Sequence, residues 1–177
     1  AVGQQHLAEL QHALMHDDCW LPGLTRQLPA LTLSATLTAS HGDAAPLRDG
    51  MDRPDERAGA LHAWTASPGA WAEYRFPQEE ALSACRLVFD SDLRRKWANM
   101  PLYYPRDGWR VSPPATLVRA FRILVESQGQ WHEAARITDN HQRLVRLPLT
   151  ADATAVRLVI DATWGDDPVN VFAWDVC

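Results

Sequence analysis

In residues 31–40, LTLSATLTAS, the apolar positions Leu33, Ala35, Leu37 and Ala39 alternate strictly with Ser34, Thr36, Thr38 and Ser40. A period of two predicts a strand with one face on a core and one in water. Strand-like runs recur at 71–76, 83–90, 116–127, 142–149, 154–161 and 169–176, separated by loops rich in Pro, Gly, Asp and Asn. No helical stretch of useful length lies between them. The start of the chain differs. Leu7, Leu10 and Leu14 share one face at helical spacing, which predicts an amphipathic helix over 4–17. Asp17 and Asp18 suit a helix C-terminus poorly, so the helix is expected to end near His16. Residues 19–30, CWLPGLTRQLPA, carry two prolines and a glycine and read as a linker. One helix followed by many short strands predicts a mostly β fold, an antiparallel sandwich over 31–177, rather than alternating α/β.

Composition narrows the function. A chain of 177 residues forms one domain with a sizeable core by default. The formal net charge of −5 gives no broad basic surface for nucleic acid. No apolar run approaches the ~20 residues that span a bilayer. The opening, AVGQQHLAEL, shows no basic segment leading into an apolar one, so no secretory signal is visible. It begins with Ala1 rather than Met, as a processed product or a piece of a longer chain would. Cys19, Cys85 and Cys177 are widely spaced, without CxxC, which argues against zinc and for one buried and two near-terminal thiols. Arg86, Arg119, Arg122, Arg143, Arg146 and Arg157 interrupt the strands and suit the wet face of an antiparallel sheet, or an interface.

Catalytic signals are missing. There is no GxGxxG, no P-loop and no GxSxG. His12 and His16 fall one helical turn apart, and His132 and His141 lie near a predicted turn with Glu133, Asp139 and Asn140; neither group forms a known catalytic spacing. Asp166 and Asp167 sit in a turn-like context. The chain reads as a non-enzyme. Residues 91–115, SDLRRKWANMPLYYPRDGWRVSPPA, are the longest non-strand segment. Loops of that length inside compact domains are usually functional or disordered, and aromatics at this density oppose disorder. Trp97, Tyr103, Tyr104, Arg106, Trp109 and Arg110 are the candidate ligand-binding residues. Rings beside guanidinium groups suit stacking on sugars, on bases or on another protein. A loop folded over its own sandwich is the plainer reading.

The order of several segments carries a resemblance. LSATLTAS (33–40), Asp49-Gly50, HAWTA (62–66) and GAWAEYRFP (69–77) resemble the opening of the coagulation-factor type C, or discoidin, domain. RAFRILVESQGQW (119–131), TAVRLVID (154–161) and VNVFAWDV (169–176) resemble its later strands. The resemblance implies a galactose-binding-like jelly roll, with Trp64 and Trp71 in or beside the core. It also implies a calcium loop at Asp49 and Asp52, completed by an acid from the last strand. Ala173 stands where that acid is expected, with Asp175 two residues on. LQHALMHDDCWLPG (10–23), FDSDLRRKWANMP (89–101) and NHQRLVRLPL (140–149) are similar to the C-terminal region of bacterial FAD-dependent oxidoreductases. On that resemblance residues 1–18 end an upstream domain that holds the FAD, and this chain holds no cofactor of its own beyond calcium. A glycan-binding accessory module of a bacterial protein is then expected, and the sequence does not give its compartment. The alternative is a module that docks on its own flavin domain and has no free ligand site.

Overall fold

The computed structural model describes residues 25–55, 58–92 and 112–177. The helix expected over 4–17, His12 and His16, Cys19, and the boundary at residue 18 lie outside the described residues. The chain described here opens on Thr25 and forms a short helix, α1 (Ala30–Ser34), then β1 (Thr36–Ala39) and a 3-10 turn over Ala45–Arg48. β2 (Trp64–Ala66), β3 (Trp71–Phe89), β4 (Val118–Ser127), β5 (Gln130–Ile137), β6 (Leu144–Thr163) and β7 (Val169–Val176) follow. All pairings are antiparallel, in the order β2-β7-β3-β6-β4-β5, with β1 on the other side of β3.

The hydrogen-bonded ribbon folds over on itself because β3 and β6 each serve both layers. Trp71–Arg75 pair with β1 and with residues 155–159 of β6. After a register shift at Pro77, residues 80–88 pair with the first half of β6 and with β7. A second shift falls where Ala84 meets Pro148. Proline donates no ladder hydrogen bond, so irregular pairing at both prolines is expected, and such irregularities bend strands. The two layers face each other across a core in which Tyr74 packs 4.6 Å from Trp174 and Phe89 packs 5.1 Å from Phe121. Tyr74 also donates its hydroxyl to the Trp174 carbonyl. Trp64 is fully buried in the core, whereas Trp71 is half-buried on the outer face, against Arg157, rather than beside the core.

Three sequence expectations are corrected. Residues 31–34 are helical rather than extended, and Leu33 is 60% exposed. The cause is Thr32, whose hydroxyl donates to the Val176 carbonyl and accepts from the Val176 N–H. This turn caps the end of β7. Second, β5 exists where the sequence showed no strand, and His132 lies within it, close to the turn that opens it. Gln128 and Gly129 both adopt positive φ and form the two-residue turn of the β4–β5 hairpin. Third, Arg86 does not face water: it is buried, paired with Asp52 and near Asp175. Arg122 and Arg157 do lie on the outer face. There Arg157 is stacked between Trp71 and Trp131, 4.4 and 4.3 Å from their ring centres, and is held by Glu73. The Arg75–Glu126, Arg122–Asp161 and Arg136–Glu133 pairs add further ion pairs on the strands around it. Cys85 is buried, and burial pushes its thiol up to about 12; Cys177 is exposed.

Candidate functional site

At one end of the sandwich the β5–β6 loop, the β6–β7 loop and the start of β4 meet. Asn140 is the bracket. Its side-chain amide donates to the Val118 and Gln142 carbonyls, both at 2.9 Å, and its oxygen accepts the Gln142 N–H. Its own N–H reaches the Arg119 carbonyl. The Asn140 carbonyl then accepts the indole N–H of Trp164 at 2.7 Å, which fixes the ring. His141 lies 4.9 Å from the Trp164 ring at a 45° tilt, and the Arg119 guanidinium is 5.8 Å from it. Asp139 meets His141 at 3.2 Å, and both side chains are more than half exposed. The result is a fixed, half-buried indole with the Arg119 guanidinium over its ring and an imidazole and a carboxylate beside it. That is the combination of apolar surface and placed polar groups that orients a sugar.

The candidate ligand residues Trp97, Tyr103, Tyr104, Arg106, Trp109 and Arg110 lie outside the described residues. The two ends of their segment are described, and both belong to this end of the sandwich. Asp90 donates its N–H to the Asn170 carbonyl, and the Asp92 N–H returns to the Asp90 carboxylate. On the return, Trp164 and Asp166 donate their N–H groups to the carbonyls of Leu117 and Ala115. A small cavity of about 60 Å³ between these anchors is lined by Asp90, Asp92, Thr116, Arg143 and Phe172, with Pro54 and Leu61 at its side. Trp164 was missed by reasoning from the sequence. It follows β6 in a turn-like segment, TWGDDP, and its partners are distant in the chain.

Asp49 and Asp52, the expected calcium loop, do not present a vacant ligand set. Asp49 accepts the Met51 N–H at 2.8 Å with one oxygen and meets His62 Nδ1 at 2.6 Å with the other. Asp52 is buried, and its two oxygens accept from Arg26 and Arg86. Ala173 is buried in β7, and the acid of that strand, Asp175, forms a 2.8 Å ion pair with Arg26. Among the described residues no three His, Cys, Asp or Glu side chains group as a metal site. The donor set as folded does not fit calcium, which takes about six to eight oxygens.

The four charges do perturb one another. Burial opposes ionisation of Asp52, but Arg26 and Arg86 overcome it and hold its carboxyl below the usual range. For Asp175 burial dominates and pushes the carboxyl up to about 6, against Arg26 and Arg86 and helped by Asp52. The folded state therefore holds the Asp175 proton more tightly than the unfolded chain. Its contribution to stability is present in acid and is lost as pH rises from about 4 to about 6. Chemical denaturation across that window should show the decline in the wild type and a flatter profile in Asp175→Asn.

No family model matches the chain, and no curated protein matches it. Solved structures do. A family 32 carbohydrate-binding module from Streptococcus pneumoniae EndoD superposes with a TM-score of 0.60 at 12% identity, covering 83% of this chain and 97% of that one. The two share an antiparallel β-sandwich fold. The family 32 module of C. perfringens NanJ, solved with galactose, gives a TM-score of 0.57 at 11% identity, covering 82% of this chain and 95% of that one. Chitosan-binding module 2 of a Paenibacillus sp. IK-5 chitosanase/glucanase, solved with chitotriose, gives 0.57 at 12% identity, with 82% and 98% covered. The jelly-roll expectation is met.

Proposed function

We propose that this domain is a non-catalytic glycan-binding module whose sugar sits at the loop end, on Trp164. The observation that carries the reading is the fixed indole with His141, Arg119 and Asp139 around it. Three structural neighbours are carbohydrate-binding modules, two of them solved with a sugar. The C–H faces of a pyranose are apolar and pack on the indole, while the rim groups hydrogen-bond its hydroxyls. Trp97, Tyr103, Tyr104, Arg106, Trp109 and Arg110 belong to the segment anchored beside this indole and are proposed to complete the site. The accessory setting, downstream of an FAD-containing domain, rests on the resemblance of residues 10–23, 89–101 and 140–149.

Trp164→Ala is expected to weaken glycan binding about tenfold or more, a loss of about 1.4 kcal/mol or above. His141→Ala, on an exposed side chain, should weaken it with the fold unchanged. Isothermal calorimetry with a glycan chosen from an array, alongside circular dichroism, checks both. Undiminished binding in the two variants would place the sugar elsewhere.

A further inference from the structure

The Asp-Gly loop at 49–52 and the last strand come together around a guanidinium. Arg26 lies 26 residues upstream of Asp52, in a segment whose composition reads as linker, yet it is 5% exposed. Its Nε donates to Asp52 Oδ1 at 2.8 Å, and its Nη1 lies 2.8 Å from Asp175 Oδ2. Its backbone N–H donates to the Gly50 carbonyl at 3.0 Å. Gly50 has φ +82, and a Cβ there would come within 3.1 Å of both Thr25 Cβ and the Arg26 carbonyl, so the 25–26 strap crosses this loop at closest approach. Arg86 approaches the same carboxylates from β3, and Arg143 donates to the Asp52 carbonyl.

The oxygens that would turn toward an ion are thus taken by protein donors. Both Asp49 oxygens, both Asp52 oxygens and the carbonyls of Gly50 and Asp52 are engaged. Asp175 Oδ1 has no hydrogen-bond partner, but it is one oxygen beside two guanidinium groups. Two buried arginines against two buried aspartates make a neutral cluster. A divalent ion placed among them would meet unscreened like charge.

We infer that Arg26 is the domain's internal cation: its guanidinium joins the Asp-Gly loop to the last strand, in the role a divalent ion would otherwise fill, and the domain is held together without calcium. Residues 25–29 are then part of the folded unit rather than a linker. The first test is thermal unfolding of the wild type in EDTA and in millimolar calcium, with equal melting temperatures expected. A saturable rise of more than about 5 °C with calcium would overturn the inference. The second test removes both guanidinium groups. Arg26→Gln/Arg86→Gln leaves two buried carboxylates without a counter-charge and is expected to melt well below the wild type in EDTA. It should then gain saturable stability from calcium, and bind terbium with emission sensitised by nearby aromatic rings, neither of which the wild type does. A double variant that melts like the wild type, or that gains nothing from calcium, would overturn the inference equally. Because the titration starts in EDTA, a variant unfolded there still reports any calcium-driven folding.

Discussion

Replacing Asp52 with alanine is expected to destabilise the domain by about 3–5 kcal/mol, enough to leave a marginal fold at physiological temperature. Asp52 is 8% exposed and receives a hydrogen bond from each of two buried arginines. Removing it leaves Arg26 and Arg86 facing a single carboxylate, Asp175, whose own protonation is favoured by burial. The loss is that of uncompensated buried positive charge, not of one contact. Asp52→Asn keeps the shape and still removes the charge, so it should recover little of the loss. Urea denaturation of the two variants beside the wild type gives the comparison. A change below about 1 kcal/mol in Asp52→Ala would mean that water reaches the cluster and screens it.

Trp174→Ala should cost a similar amount, about 3–5 kcal/mol, for a different reason. The ring is fully buried in β7 and packs 4.6 Å from Tyr74, so truncation opens a large cavity between the two layers. Trp174→Phe separates volume from polarity. The indole N–H is buried without a hydrogen-bond partner, so losing it removes a desolvated donor and sacrifices no bond. Phenylalanine is therefore expected to retain most of the stability that alanine loses. If Phe and Ala were equally damaging, an unseen partner for the indole N–H would have to exist.

Much of the fold is legible because it is local. The β7 run is observed where its apolar, strand-like composition places it, and β4 begins two residues inside its expected range. β3 and β6 each read as two strands, since their apolar patterns are interrupted where Pro77 and residues 150–153 turn the chain from one layer to the other. β5 is illegible for a physical reason. It is an edge strand, exposed along most of its length, and a register shift opposite Ile123 and Leu124 breaks its alternation. The helical turn at 31–34 depends on Thr32 meeting Val176, a contact that no local pattern contains. The same limit applies to the sites. Arg86 looks like any strand arginine until Asp52 and Asp175 are placed beside it, and Trp164 becomes a candidate site only when Asn140, His141 and Arg119 converge on it. The sequence did single out His141, Asp139 and Asn140 as neighbours, but nothing local joined them to Trp164.

Glycan binding at the loop end is tested most directly by calorimetry on four proteins: wild type, Trp164→Ala, His141→Ala and Trp131→Ala. The probe is the best binder from an array of neutral, amino and acidic oligosaccharides. Trp131 is the control. It is also partly exposed and stacked with arginine, but it lies at the β4–β5 hairpin, on the outer face. The predicted result is wild-type affinity in Trp131→Ala and at least about tenfold weaker binding in Trp164→Ala, with His141→Ala between them. A blank array, or binding that fails only in Trp131→Ala, would contradict a sugar site on Trp164.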